Sequence, residues 1–299
     1  MKILVLHQPF PMGNYRLMPY IANKLTEQGN EVVLAEQLNG DVWTQETLDV
    51  INAQYFDAAY YEMLDGQTFQ LIEQSNIKKK VLCYASKGIF KTFEEILEFN
   101  GRYYTDVLTN SKEMLTAFLN KDITAEFFEY YPAPIFEEEI IKDTRYDIPL
   151  VYVGGGFQRL VKPEYKTESE IIYQNAKVAK YGNGWSNVAN YRGILPSGDI
   201  GRLYHSAKVS IGTIEPSQRQ KGMVNNRYSE MFMAGATVAS INYPEVDFYG
   251  GEEFITFVDS SDDLDRVIPL AKSKIKLQEE FILQKEKNFF KSLNNLLFL

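Results

Sequence analysis

The feature that most constrains this chain is a plan that runs twice. Residues 2–7 (Lys2-Ile3-Leu4-Val5-Leu6-His7) form an apolar run, and a loop with Pro9, Pro11 and Gly13 follows. Residues 18–28 then carry a helical pattern that stops at Gly29, and residues 31–36 form a second strand-like run. Strands that are apolar throughout are buried on both faces, and a strand, loop, helix, strand series of this kind builds a parallel sheet covered by helices. Further strands are predicted at 57–63, 80–85, 106–109 and 125–130, with helices at 93–99 and 111–119. Between 131 and 149 the texture changes. Pro132 and Pro134 interrupt regular structure and Glu137-Glu138-Glu139 opens a charged segment, which reads as an interdomain linker. Strand 149–153 runs into Gly154-Gly155-Gly156 and the series restarts, with helices at 168–180, 200–206 and 226–234 and strands at 208–212, 237–240 and 253–258. The expected class is α/β with two similar halves, 1–145 and 146–299, each large enough to bury its own core. From 262 onward the pattern is helical, and Phe281, Phe289, Phe290, Leu293, Leu296 and Leu297 demand a partner surface. A helix returning to the first domain and one packing on its own domain both satisfy that demand.

Charge and cysteine content narrow the function classes. The 31 Lys and Arg are outnumbered by 40 Asp and Glu, a net charge of −9. That disfavours a basic wrap around duplex DNA or an anionic membrane surface, although a local basic cleft fits within it. Cys83 is the only cysteine, so neither a disulfide framework nor a cysteine zinc site exists within one chain, and a cytoplasmic location is expected. The N-terminal apolar run is far shorter than the ~20 residues of a membrane span, so no stable membrane insertion is expected.

Three stretches carry polar groups suited to anions. Gly154-Gly155-Gly156 ends a strand with Arg159 just beyond, which lets backbone approach an anion closely with a guanidinium nearby. A tight turn explains the glycines equally, and their spacing is not that of a dinucleotide fingerprint. The loop Ser217-Gln218-Arg219-Gln220-Lys221-Gly222 is polar and cationic, with Arg219 and Lys221 either stabilising leaving-group charge or simply solvated. In Asn225-Asn226-Arg227-Tyr228-Ser229-Glu230, Glu230 lies one helical turn beyond Asn226 and Arg227, on a helix that stops at Gly235 and feeds a buried strand. The helix N-terminus suits phosphate and the carboxylate suits ribose hydroxyls. An ion pair between Arg227 and Glu230 on the helix surface is the plainer alternative.

With Gly154-Gly155-Gly156 before it and the stretch from Tyr191-Arg192-Gly193 to Ser206-Ala207 between, this segment resembles the C-terminal half of the GT-B glycosyltransferases. The CgeB-like (spore maturation) group is the most similar, and its N-x-R-x-x-E-x-x-x-x-G core is matched by Asn225, Arg227, Glu230 and Gly235. The resemblance covers most of 148–258. It implies two Rossmann-like domains facing across a cleft, an acceptor domain first and a nucleotide-sugar donor domain second, with the last helix returning to the first. It assigns Glu230 to the donor ribose and puts the diphosphate near Asn226, Arg227 and the Gly154 turn, with Asn225 and Tyr228 of the same segment as further donor contacts. Gly193-Ile194-Leu195 would lie beside the base, and Gly13 resembles the donor-facing loop of the first domain. The implied reaction is hexosyl transfer from a nucleotide-sugar, by family frequency a UDP-sugar, to a hydroxyl of a glycan, small molecule, protein or modified DNA base, with no cofactor required.

The chain also departs from the pattern. Many retaining members carry two glutamates separated by seven residues, but Gly222 stands eight before Glu230, which leaves the stereochemical outcome open. An inverting enzyme needs a base, and His7 is the candidate because ligands gather at strand carboxyl ends. Glu62, Asp65 and Asp106 are lesser ones, while His205 is expected to pack. Asp263-Leu264-Asp265 has the spelling of a metal motif used by another fold. However, Asp259-Ser260-Ser261-Asp262-Asp263 opens a helix after a strand, so capping is expected and no metal. Trp185 and Tyr15 are candidate sugar-stacking faces. Two rival functions on the same fold stand beside this reading. One is transfer to modified bases of DNA, with phosphates held near Lys78-Lys79-Lys80. The other is a catalytically silent nucleotide-sugar binding protein of the same fold.

Overall fold

The computed structural model describes residues 1–7, 17–36, 43, 45–62, 68, 71–73, 75–84, 93–133, 141–156, 159–269 and 275–298. Among them two sheets follow one another along the chain. The first has the order β2-β1-β3-β4-β5-β6, built from β1 (Lys2–His7), β2 (Glu31–Glu36), β3 (Ala58–Glu62), β4 (Lys79–Tyr84), β5 (Asp106–Thr109) and β6 (Thr124–Phe127). The second has the order β11-β10-β9-β7-β8, built from β7 (Leu150–Val153), β8 (Ala179–Tyr181), β9 (Val209–Gly212), β10 (Val238–Ile241) and β11 (Ile255–Val258). Every strand pairing in both is parallel. In each sheet the first strand has neighbours on both sides that the chain reaches in opposite directions. A crevice therefore opens at the carboxyl ends of both sheets.

The unbroken apolar runs follow from burial on two faces. On one side of β1, Ile3 and Val5 pack with Leu17, Ile21 and Leu25 of α1 (Leu17–Glu27). On the other, Leu4 and Leu6 pack with Ile51 of α2 (Gln45–Asn52), Ile96 of α3 (Phe93–Glu98) and Phe118 of α4 (Lys112–Leu119). The second domain repeats the arrangement with α5 (Ile200–Ser206), α6 (Asn226–Met233) and α7 (Ser261–Val267). The final helix, α8 (Ile275–Phe298), belongs to both halves. Its Ile282 sits in the second domain's core, whereas Phe289, Phe290, Leu293, Leu296 and Leu297 join the first domain's core where the helix crosses β4, β5 and β6. Ser292 Oγ donates to the Phe127 carbonyl at 2.8 Å, and Tyr20 hydroxyl donates to Glu286 at 2.9 Å.

Two expectations need correction. The helix expected at 168–180 is a short helical segment over 166–173, and the chain then extends into β8. Lys180, buried in the middle of β8, disguised that strand, and its Nζ is satisfied by the Asn175 and Ala189 carbonyls. The segment read as a linker, 131–149, also opens on buried residues. Tyr131 and Ala133 are buried, and Tyr130 enters the second domain's core and donates to the Phe248 carbonyl at 2.7 Å. Residues 134–140 lie outside the described residues.

Candidate functional site

Two hydrogen bonds fix how the crevices meet. Asn110 and Ser111 directly follow β5. Asn110 Nδ2 donates to the Val224 carbonyl at 2.6 Å, and Ser111 Oγ donates to the Lys221 carbonyl at 2.6 Å. Residues 221–224 directly precede α6, so the N-terminus of α6 faces the carboxyl edge of the first sheet. Asn225 is the N-cap: its Oδ1 accepts from the Arg227 amide at 3.2 Å while its Nδ2 donates to the Thr213 carbonyl just past β9. This side chain builds the helix end and ties it to the strand that feeds it.

Two guanidiniums converge behind that helix end on Tyr152, which lies fully buried in β7. Arg159 donates to the Tyr152 hydroxyl, and the Arg227 guanidinium stands 5.8 Å from the ring centroid. Burial opposes ionisation of this phenol, yet the two positive charges outweigh it and hold Tyr152 below its usual range. Arg227 also interacts with the Tyr204 phenol, but its buried Nη1 has no hydrogen-bond acceptor among the described residues. A buried guanidinium with an unanswered donor is costly unless an anion completes it. Arg159 does have an anion, because it pairs with Glu215, which also accepts from the Tyr165 hydroxyl.

Glu230 lies one turn along α6, with Asn226 Nδ2 donating to its Oε1 at 3.3 Å. Burial pushes its carboxyl up to about 7, against the opposing pull of Arg227. Near neutral pH it is thus divided between an acceptor-only carboxylate and a protonated acid.

The remaining sequence candidates fall into three groups. Some border the site. The Gly193 carbonyl accepts from the Gly182 amide at 3.0 Å, beside the end of β8, with Ile194 exposed and Leu195 packed on the neighbouring core. The triple glycine is largely a matter of packing. The Gly154 and Gly156 amides bond the Tyr181 and Asn183 carbonyls, and a Cβ on Gly156 would stand 2.5 Å from the Gly184 carbonyl oxygen. Gly155 is the member of the turn outside that pairing. His7, at the carboxyl end of β1, is buried with Nδ1 unpartnered among the described residues; burial lowers its pKa and Glu36 of β2 opposes the shift.

Others are committed elsewhere. Arg219 Nη1 binds the buried Glu168 at 2.7 Å, and its Nη2 binds the Glu164 carbonyl. Tyr228 is fully buried with its hydroxyl 2.6 Å from Ser240 Oγ, so it is core and not a donor contact. Trp185 is likewise fully buried, its indole donating to the Gly154 carbonyl at 2.6 Å, and offers no face to a sugar. Lys221 contributes its carbonyl to the contact with Ser111. Asp106 begins β5 and Lys78–Lys80 lie at the start of β4, at the sheet end opposite the crevice. Lys80 Nζ is turned to the Arg102 carbonyl. His205 packs, its Nδ1 lying 3.0 Å from the Ala234 carbonyl oxygen.

Asp263 and Ser260 form a capping box at the start of α7, and Asp265 pairs with Lys177 at 2.6 Å. Among the described residues no cluster of three or more His, Cys, Asp or Glu stands ready for a metal ion. A third group, Gly13, Tyr15 and Asp65, lies outside the described residues. The sequence alone assigned no role to Tyr152, Tyr165, Tyr204 or Glu215.

Residues 159–286 match the family model described as glycosyl transferase-like. The fold is that of solved GT-B glycosyltransferases. T4 phage BGT in complex with its UDP-glucose substrate superimposes with a TM-score of 0.66 at 14% identity, covering 100% of both chains. AviGT4, a glycosyltransferase involved in avilamycin A biosynthesis, gives 0.60 at 12%, covering 99% of this chain and 98% of its own. An α-glucosyltransferase in complex with UDP and a 13-mer DNA gives 0.56 at 10%, covering 98% and 95%. No curated protein matches the sequence. No helix among the described residues is long and apolar enough to cross a membrane.

Proposed function

We propose that this chain is a GT-B glycosyltransferase of the CgeB-like kind that binds a nucleotide-sugar, by preference a UDP-hexose, on residues 146–299 and its acceptor mainly on residues 1–145. The observation that carries the reading is the pair Arg159 and Arg227 at the N-terminal end of α6, one of them with a buried, unanswered donor. A diphosphate there meets two guanidiniums and the helix dipole, and Glu230 one turn further on accepts from the ribose hydroxyls. As the glycosyl bond breaks, the charge growing on the nucleoside diphosphate is met by groups already in place. His7, kept neutral by its lowered pKa, is the group at the first sheet's carboxyl edge suited to take the acceptor proton.

The reading is tested by calorimetry with nucleoside diphosphates and their sugars, followed by donor hydrolysis with and without excess chelator. UDP or UDP-sugar binding with chelator-insensitive turnover is expected. Absence of binding to any nucleotide by the folded protein refutes the donor seat, and turnover restored only by magnesium or manganese refutes metal independence. The full-length likeness to a DNA-modifying β-glucosyltransferase favours one second reading of the acceptor, a hydroxylated base in duplex DNA. Sugar transfer to such a duplex decides it.

Glu230 gives a further expected result. Because a raised carboxyl pKa in the fold means that the ionised form costs stability above the unfolded pKa, Glu230→Gln should be no less stable than wild type at neutral and higher pH. Ribose hydroxyls bind the carboxylate better than the acid, so wild-type UDP affinity should rise with pH through about 7. The glutamine variant should lose ~1 to 3 kcal/mol of affinity at the high-pH end. Comparing the two proteins across pH removes the diphosphate's own titration. Identical profiles would exclude the ribose role.

A further inference from the structure

We propose that Glu215 is a built-in occupant of the donor phosphate seat: its carboxylate answers Arg159 while the seat is empty and gives way when a diphosphate arrives. The inference rests on the donor-seat reading above and adds a residue whose effect on binding has the opposite sign to that of its neighbours. Four observations carry it. Arg159 and Arg227 share Tyr152, so two positive charges stand close together in a site largely withdrawn from water. Among the described residues only one of the pair has a carboxylate in direct contact, and that carboxylate belongs to Glu215. Glu215 reaches Arg159 from the loop directly after β9, the side from which the N-terminus of α6 is also approached, and its side chain is a third exposed, so it has room to leave. Its other oxygen is held by Tyr165, a half-buried residue of a short helical turn on the site's outer rim.

Like charges at short range then forbid joint occupancy. A diphosphate bound to both guanidiniums would sit against the Glu215 carboxylate, and two anions in a site of low dielectric repel strongly. The seat therefore has two alternative fillings. In one, Glu215 neutralises Arg159 and Arg227 Nη1 goes without an acceptor. In the other, the diphosphate answers both guanidiniums and Glu215 turns outward to water. The internal carboxylate keeps Arg159 extended into the site in the absence of donor and sets a threshold: a ligand must offer more than one carboxylate's worth of anionic oxygens to displace it.

The test measures binding of UDP and of inorganic pyrophosphate by calorimetry to wild type, Glu215→Gln and Tyr165→Phe, with thermal unfolding of each. An occupant must be removed before ligand binds, so Glu215→Gln should bind both probes about tenfold more tightly, the equivalent of one strong charged hydrogen bond no longer broken on binding. Tyr165→Phe, which only loosens the carboxylate, should tighten both by a smaller factor. A fixed structural ion pair predicts the reverse, because losing it leaves Arg159 disordered and weakens binding. Unchanged or weaker binding by Glu215→Gln, with wild type binding UDP normally, overturns the proposal and leaves the donor seat standing. If the glutamine variant does not fold, the sign of the Tyr165→Phe effect decides in the same way. If wild type binds neither probe, it is the donor seat itself that fails.

Discussion

Arg227→Met is expected to lower glycosyl transfer by roughly 10²- to 10³-fold, in the range seen when a preorganised donor to a developing oxyanion is removed. The side chain supplies a positive charge behind the α6 N-terminus and a buried Nη1 with no acceptor among the described residues. Both features are liabilities for folding and assets for binding a diphosphate. Replacing a buried, incompletely answered charge by an apolar group of similar length is often neutral or stabilising, so the unfolding temperature should hold or rise while activity collapses. Arg227→Lys should recover little, since a single ammonium cannot reproduce the planar fork that reaches Tyr204, Tyr152 and ligand together. Steady-state kinetics beside thermal unfolding provides the check. A methionine variant with near wild-type turnover would place the phosphate seat elsewhere in the cleft.

How much of this was legible in the chain depends on what each feature needed. The two parallel sheets were legible because burial on both faces leaves an unbroken apolar run in the sequence, as in Ile3–Leu6. The α6 segment was legible because cap, guanidinium, carboxylate and stop glycine sit at fixed helical offsets, and Gly235 does adopt the left-handed conformation, φ +63°, that a helix stop requires. Strand β8 was hidden because Lys180 at its centre is buried with its charge satisfied by the backbone carbonyls of Asn175 and Ala189, and a carbonyl partner leaves no side-chain pattern in the sequence. The same limit explains the site. Asn226 and Glu230 are four apart and show themselves, whereas Arg159, Glu215 and Tyr165 come together only when the loops after β7 and β9 meet. Arg219 shows the converse. A cation in a polar loop looks like a ligand contact until the fold brings buried Glu168 against it.

Phe289→Ala is expected to cost ~3 to 5 kcal/mol and to lower the unfolding temperature by roughly 5 to 15 °C. The ring is fully buried on α8 and meets Phe128 edge-on at 5.0 Å between centroids, with Tyr131 and Phe290 around it. Its loss leaves a cavity in the first domain's core, but the helix that bears it starts in the second. Gln278 Nε2 donates to the Ala236 carbonyl at 3.0 Å, Ile282 is buried there, and Phe281 packs on Tyr130, Phe232 and Phe254. One continuous helix therefore links two cores that lie on either side of the cleft. Weakening its far end should loosen the coupling between them as well as the first core itself, so a single unfolding transition in the wild type should separate into two in the variant. Phe298→Ala is the control, since that ring is half exposed at the helix end and its removal should shift the transition little. Donor binding supplies the second readout. If the seat is built within the second domain, UDP affinity should survive in Phe289→Ala while transfer to the acceptor falls, because only the transfer step requires the two domains to be held in register across the cleft. An unfolding profile identical to wild type would mean that the returning helix contributes nothing to holding the two domains together.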